Sequence, residues 1–417
     1  MASLLLRNIA QLIGIDQETT ATTAPLRADA LRQLPTLQQA WLLIEDERIA
    51  DFGHMDTCPE RADQIIDVQG GMVGPAWCDS HSHLVFAASR ESEFVYRIEG
   101  RSYAEIAAKG GGILNSAKKL REMPEEQLFE QAWKRLQKVR AYGTGALEIK
   151  SGYGLTYESE LKMLRVIKQL KEKSDLAIKA TFLGAHAMPL AHRDKRPVYL
   201  DLLLKKMLPQ IADEGLADYV DVFCEKGFYS VAEAEMIMEA GQKYGLKAKI
   251  HTNQFNCMGG IQAAIKYDAL SVDHLEVVNE EEMACLQQSD TIATLLPSAP
   301  FFLCDHYPPA RQLIDAGVAL ALASDYNPGT TPSGRMAFVL SLACIKMKML
   351  PEEAINAATI NGAFAMELAN DYGRIARGKI ASLFLTDPIP SVAYLPYAFG
   401  DDLIRQVVVK GKISDKA

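Results

Sequence analysis

Residues 71–83 read Gly71-Met72-Val73-Gly74-Pro75-Ala76-Trp77-Cys78-Asp79-Ser80-His81-Ser82-His83, an apolar run that ends on two histidines. In extended backbone residues i and i+2 point to one side, so His81 and His83 can offer two imidazoles to one ion. Taken alone, the pair fits two histidines in a polar turn equally well. The run from Gly71 to Asp79 is the first of eight. The others are Gly145 to Ile149, Ala177 to Ala185, Tyr219 to Cys224, Leu246 to His251, Ala269 to His274, Ile292 to Leu296 and Val318 to Asp325, and long helical stretches separate them. Short buried runs alternating with helices predict a parallel sheet with crossover helices. Eight strands over about 300 residues fit a (β/α)8 TIM-type barrel with insertions better than a doubly wound sheet.

Further chemistry-bearing residues fall at equivalent places. His251 ends the fifth run, His274 the sixth and Asp325 the eighth, so all reach the C-terminal rim on which barrel active sites are built. Four histidines and one aspartate at strand ends, in a chain with only eight histidines, point to a bound cation. Imidazoles with a carboxylate suit Zn2+ or another borderline ion such as Fe2+ and leave room for a water.

Both flanks of the barrel are β-rich. The first carries Leu4-Leu5-Leu6, Trp41-Leu42-Leu43-Ile44 and Ile49-Ala50-Asp51-Phe52-Gly53; the second carries Gly373-Arg374-Ile375, the run from Gly378 to Leu385 and the run from Gln406 to Lys412. Residues 1–70 and 371–417 are expected to pair as one discontinuous β-sandwich beside a barrel of residues 71–370. A composition of 48% hydrophobic and 23% charged residues excludes disordered and collagen-like chains. With 53 acidic against 44 basic residues the net charge is −9, a field that repels nucleic acid and anionic membranes and leaves a small molecule as the expected partner. The seven cysteines are an odd number without a CxxC pair and read as reduced thiols of a cytoplasmic protein. The stretch from Ser3 to Ile15 is broken by Arg7 and Asn8 and lacks a signal-peptide frame, and no window approaches the roughly 20 apolar residues of a membrane span.

The segments around the candidate ligands carry a resemblance. They are Leu84-Val85-Phe86 with Arg90, Gly110-Gly111-Gly112-Ile113, Lys150-Ser151-Gly152-Tyr153-Gly154-Leu155, Thr181-Phe182-Leu183-Gly184-Ala185-His186, Asp273-His274-Leu275-Glu276, Leu295-Leu296-Pro297 and Ser324-Asp325-Tyr326-Asn327-Pro328-Gly329. Over essentially the full length, the chain resembles the imidazolonepropionase family of the metal-dependent amidohydrolase superfamily. The two histidines alone mark only the superfamily, whereas the segments at 150–155, 182–187 and 325–329 are much more specific. The resemblance implies hydrolysis of 4-imidazolone-5-propanoate to N-formimidoyl-L-glutamate, the third step of L-histidine degradation, by a homodimer. It further implies one divalent metal, Zn2+ or Fe2+, on His81, His83, His251 and Asp325, with His274 just behind. Arg90, Tyr153, His186, Gln254, Asn327, Gly329 and Thr330 are the implied substrate contacts.

The chemistry agrees with that assignment. Opening a cyclic amide needs a nucleophilic oxygen at neutral pH, and a bound divalent cation lowers the pKa of water from 15.7 towards about 7. Asp325 is expected to pass the water's proton to the departing ring nitrogen, and His274 to stabilise the developing oxyanion. Arg90 offers a planar fork to the propanoate, an ordinary surface arginine being the alternative. The loop from Asn327 to Ser333 resembles a helix opening whose N–H groups can bind an anion, or else an ordinary capped turn. Two departures from the family pattern stand out. The run from Pro75 to His83 replaces the commoner Gly-Phe-Val-Asp-Pro-His-Thr-His with every ligand kept, and Gln254 stands where some relatives carry Glu. Gln cannot titrate, so Gln254 belongs to the catalytic set as a contact, and the proton work shifts to Asp325 and His274.

Other signals are weaker. Lys150 ends the second run rather than the fourth, where a carboxylated lysine bridging two metals would sit, so a single metal is expected. The run from Gly110 to Gly112 lacks the Lys-Ser/Thr of a phosphate loop and reads as a flexible turn on the active-site side. Cys224 and Cys257 read as buried inert thiols, and His54, His192 and His306 as solvated loop residues; an acid behind the site is the less favoured reading of Glu225. Two rival functions are a guanine-type deaminase and a non-catalytic scaffold. A deaminase has no use for Arg90, Tyr153 and His186 and usually wants a titratable acid at the Gln254 position; a scaffold would have lost a ligand.

Overall fold

The computed structural model describes residues 2–16, 23–101 and 111–415. Sixteen strands occur among them. Five precede the barrel: β1 Ser3–Ile13, β2 Thr36–Glu45, β3 Arg48–His54, β4 Gln64–Asp67 and β5 Met72–Pro75. Eight form it: β6 Trp77–Asp79, β7 Thr144–Lys150, β8 Ala177–Ala185, β9 Tyr219–Cys224, β10 Lys247–Thr252, β11 Ser271–His274, β12 Ile292–Leu295 and β13 Leu320–Leu322. Three follow: β14 Leu383–Thr386, β15 Ile404–Val409 and β16 Lys412–Asp415.

The barrel strands run parallel in sequence order from β6 to β13. β7 and β9 are buried at every residue, as expected of strands covered by helices on one face and filling a barrel on the other. Polar starts position those helices. Thr156 Oγ1 accepts the Ser159 N–H ahead of the helix Tyr157–Lys173, and Ser230 with Glu233 closes a capping box ahead of the helix Val231–Lys243. The first and last barrel strands meet beyond their own ends, where the His83 N–H donates to Tyr326 O (2.9 Å) and the Asp325 N–H to His81 O (3.0 Å). The segments that carry candidate metal ligands therefore also close the barrel.

The other strands form one mixed sheet, ordered β16-β15-β14-β5-β1-β2-β3 with β4 beside β1. Its two halves join where β14 pairs antiparallel with β5. The run from Gly71 to Asp79 is thus two strands, not one. Pro75 has no N–H for a ladder, and the Ala76 N–H turns to Ser382 O (2.9 Å), so the chain leaves the first sheet and enters the barrel at Trp77. Two other expected runs are shorter in the fold. Ile375 makes only a single bridge, with Ile15, and Gln406 to Lys412 spans a hairpin, turned at Lys410 (φ 48°) and Gly411 (φ 72°), the paired positive φ of a tight β-hairpin. Trp77 ties the two units together. It is fully buried, stacks on Phe384 at a centroid distance of 4.6 Å and donates its indole N–H to Tyr142 O (3.1 Å). Among the described residues no helix is long and apolar enough to cross a membrane, and all seven cysteines are free thiols.

Candidate active site

The side chains of His81, His83, His251 and Asp325 converge at the C-terminal mouth of the barrel. Asp325 Oδ1 lies 3.6 Å from both His81 Nε2 and His83 Nε2, and His83 Nε2 lies 3.5 Å from His251 Nε2. His81 Nε2 is buried and has no hydrogen-bond partner among the described residues, a costly state unless something else satisfies it. Donors held about 2.0–2.2 Å from a tetrahedral cation are themselves about 3.3–3.6 Å apart, so the cluster has the size and the donor chemistry of a zinc-type site. His274 belongs to a second grouping, with His81 and His251.

Buried carboxylates sit behind the imidazoles. Asp273 Oδ2 is 2.7 Å from His81 Nδ1 and Asp221 Oδ2 is 3.0 Å from His251 Nδ1. The first of these is a hydrogen bond that fixes the His81 ring and leaves its Nε2 as the donor atom, while Asp221 stands beside His251 as a close charge without hydrogen-bond geometry. Beneath them Lys150 Nζ contacts Glu148 (2.6 Å), Asp221 (2.8 Å) and Asp273 (3.4 Å), while Lys249 pairs with Glu148. Burial works against the Lys150 charge, but these three carboxylates outweigh it and hold its pKa above the ordinary lysine value. Lys150 is thus fully engaged in ion pairs, in keeping with a single-metal site.

Burial first, then the Lys150 charge and the neighbouring histidines, hold His81, His83 and His251 well below the ordinary histidine pKa, which keeps them neutral as ligands must be. Asp325 is pushed up to about 7 by burial, with the nearby His274, Asn327 and Thr330 opposing. Burial also works against a charge on His274, yet Glu276, 3.2 Å from its Nδ1, carries it up to about 8. His274 (φ 94°) and Asp325 (φ 52°) both occupy the left-handed region. That strained backbone turns two strand exits inward, as strained residues at active sites often do.

A cavity of about 420 Å³ opens on this cluster, lined by His83, His251, His274 and Asp325 together with Arg90, Tyr153, His186, Gln254, Asn327, Gly329 and Thr330. Every expected site residue except the deeper His81 thus faces one space. His186 donates from Nδ1 to Gly152 O (3.1 Å), leaving Nε2 as an acceptor, and its ring lies parallel to that of His83. Tyr153 is buried, which raises its pKa and keeps the hydroxyl protonated as a donor. Gly110 lies outside the described residues; Gly112 opens the helix Ile113–Glu122, and Ile113 forms part of the apolar wall.

The loop after Asp325 is a tight turn rather than a helix opening: the Gly329 and Thr330 N–H groups donate to Asn327 Oδ1 (2.7 and 2.8 Å), so these two are engaged within the loop itself. Cys257 is exposed because it lies in the loop beyond β10; of this pair Cys224 is the buried one, its thiol pushed up to about 12. Glu225 accepts from the Phe255 and Asn256 N–H groups (2.9 and 3.3 Å) and so shapes the loop that carries Gln254. His54 ends β3 instead of lying in a loop. The sequence reading passed over Glu93, which grips Arg90 (2.9 Å to Nε), and Glu160, whose carboxylate accepts from the Gly152, Gly154 and Leu155 N–H groups and so sets the Tyr153 loop. It also passed over the lining residues Arg97 and Phe223. Charged residues inside apolar strands were the available signal for Glu148, Asp221 and Lys249.

The chain matches the amidohydrolase family over residues 72–414. It is 55% identical to the imidazolonepropionase of Flavobacterium johnsoniae over 410 residues, covering 98% of this chain and 99% of that protein. It is 52% identical to that of Christiangramia forsetii over 412 residues, covering 99% and 100%. Among solved structures, Escherichia coli guanine deaminase superposes with a TM-score of 0.74 over 99% of both chains at 14% identity, a likeness of fold.

Proposed function

The chain belongs to the amidohydrolase family and within it to the imidazolonepropionases, and on that premise we propose how its own residues carry out the reaction. The reaction is hydrolysis of the cyclic amide of 4-imidazolone-5-propanoate to N-formimidoyl-L-glutamate, in the degradation of L-histidine. The observation that carries the residue assignment is the convergence in which Asp325 Oδ1 lies 3.6 Å from the Nε2 atoms of His81 and His83 while His83 Nε2 lies 3.5 Å from His251 Nε2, opening on a cavity that also holds Arg90.

His81, His83, His251 and Asp325 would hold one divalent cation, Zn2+ or Fe2+. When bound, the cation supplies Lewis acidity, activating a water and polarising the ring carbonyl. Asp325, buried and with Oδ2 3.4 Å from Thr330 Oγ1, takes a proton from the attacking water and delivers it to the ring nitrogen. The water oxygen bonds to the carbonyl carbon, the carbon–nitrogen bond breaks, and nitrogen leaves protonated as part of an amidine. His274 has its Nδ1 turned to Glu276, which directs its other nitrogen towards the oxygen on which negative charge develops. Tyr153, His186 and Gln254 orient the ring, with Asn327, Gly329 and Thr330 shaping the far wall, and Arg90 pairs with the propanoate. The division into residues 1–70 with 371–417 and residues 71–370, with β5 Met72–Pro75 paired into the first unit, leaves all of this chemistry to the barrel. A homodimer in the cytoplasm completes the proposal, the seven free thiols being in keeping with a reducing compartment.

Turnover in H2 18O tests the reading. One label in the new carboxylate of N-formimidoyl-L-glutamate, without ammonia release, is expected; ammonia release would favour ring deamination instead.

A further inference from the structure

Arg90 and Glu93 stand at the start of the helix Glu91–Ile98, with side chains 11% and 6% exposed. Glu93 Oε2 accepts from Arg90 Nε (2.9 Å) and Nη2 (2.5 Å), so the protein's own carboxylate takes the side edge of the guanidinium. Among the described residues no other side-chain hydrogen bond reaches it. Nη1 lies against Gly329, where a Cβ would come within 2.4 Å of it. The second oxygen, Oε1, accepts the Gly112 N–H (2.9 Å), at a glycine with φ 84° that leads directly to Ile113 on the cavity wall.

We propose that Glu93 is the positioning residue of the anion site, holding Arg90 by its side edge so that its end-on donors, Nη1 and the outer N–H of Nη2, are presented to a substrate carboxylate. The proposal rests on the reading of Arg90 as the partner of the propanoate. An arginine side chain has several rotatable bonds, and a ligand that must immobilise it loses affinity in doing so. Glu93 immobilises it during folding. The carboxylate also neutralises a guanidinium that would otherwise be buried without a partner. Because both oxygens of Glu93 are engaged, the same side chain sets the distance between the anion site and the wall at Ile113. It thereby favours a ligand whose single carboxylate sits one short chain away from the ring. Gly329 closes the other side, so Arg90 is pinned between a carboxylate and a glycine.

Steady-state kinetics of the metal-loaded, full-length enzyme test this, with 4-imidazolone-5-propanoate and its propanamide analogue as substrates. Glu93→Gln is expected to raise KM for the propanoate about tenfold, leave kcat within about twofold, and leave KM for the amide unchanged. Arg90→Gln should give the same split more strongly, and the double variant should add nothing to it. If Arg90→Gln raises KM for the propanoate alone while Glu93→Gln does not, the inference is overturned and the reading of Arg90 stands. If Arg90→Gln affects both substrates equally, or neither, the reading of Arg90 itself fails. An equal loss on both substrates in Glu93→Gln would mark a merely structural role and overturn the inference. Glu93→Asp keeps the charge but is too short to hold Arg90 and Gly112 together, and it should show a partial form of the same split even if the glutamine variant does not fold.

Discussion

Asp325 combines two demands that usually fall to different residues, since it faces the imidazole cluster through Oδ1 and a threonine hydroxyl through Oδ2. Asp325→Asn keeps the size of the side chain and removes its basicity. Such a variant should lose about 10²–10⁴-fold in kcat and bind less metal per chain, measurable by turnover and by metal analysis of the same sample; retention of full turnover would remove Asp325 from the proton path. Gly329 answers to the same logic of space. A methyl group there would come within 2.4 Å of Arg90 Nη1, so Gly329→Ala should displace the guanidinium and raise KM with little change in melting temperature, and an unchanged KM would contradict that placement. The ligand positions were legible in the sequence because each stands at the end of an apolar run, where few polar residues compete for attention. The carboxylates that orient them were not. Asp221 and Asp273 lie inside strands that read as apolar, and only the closed barrel brings Asp221 to His251 on the neighbouring strand and Asp273 across the interior to His81.

At the scale of elements, the junction between the sheets depends on Trp77. Its burial, stacking on Phe384 and hydrogen bond to Tyr142 join β6 to β14 and to the end of a barrel helix. Trp77→Ala should cost about 3–5 kcal/mol, read as a lower urea midpoint, and a midpoint unchanged from the parent would show that the two units are joined elsewhere. A second element contact responds to pH. Arg165, on the helix Tyr157–Lys173, grips Glu214 (2.7 Å) and with Gln210 holds its carboxyl down to about 2. A depressed folded-state pKa adds stability above the ordinary glutamate value near 4.5 and loses it as pH falls towards 2. Glu214→Gln should therefore flatten the fall in melting temperature between pH 5 and pH 2, and an identical fall in both proteins would contradict the pairing. The same scale explains why the run from Gly71 to Asp79 misled. Hydropathy is continuous across Ala76, and only the missing N–H of Pro75 and the partner offered by Ser382 decide that the chain changes sheets there.

For the whole molecule, alternating runs and helices sufficed to predict the barrel and the pairing of the two flanks, because their periods are set by burial alone, but the expected β-sandwich is one mixed sheet. The closure of the barrel was not legible, since it is made by residues 81–83 and 325–326 beyond the strand ends. That closure has a thermodynamic consequence. A cation held by His81, His83, His251 and Asp325 would bridge the first, fifth and eighth strands, so chelation should lower the melting temperature of the loaded protein by the linkage expected of any ligand that binds only the folded state. Equal melting curves with and without chelator would argue that the cluster holds no ion. The most direct test is the loss of imidazolone absorbance when protein of known metal content is added to freshly generated 4-imidazolone-5-propanoate. Rapid loss with N-formimidoyl-L-glutamate as product, abolished by chelation and restored by added Zn2+ or Fe2+, is the predicted result; no loss above the spontaneous rate, in protein carrying one metal per chain, would contradict the account.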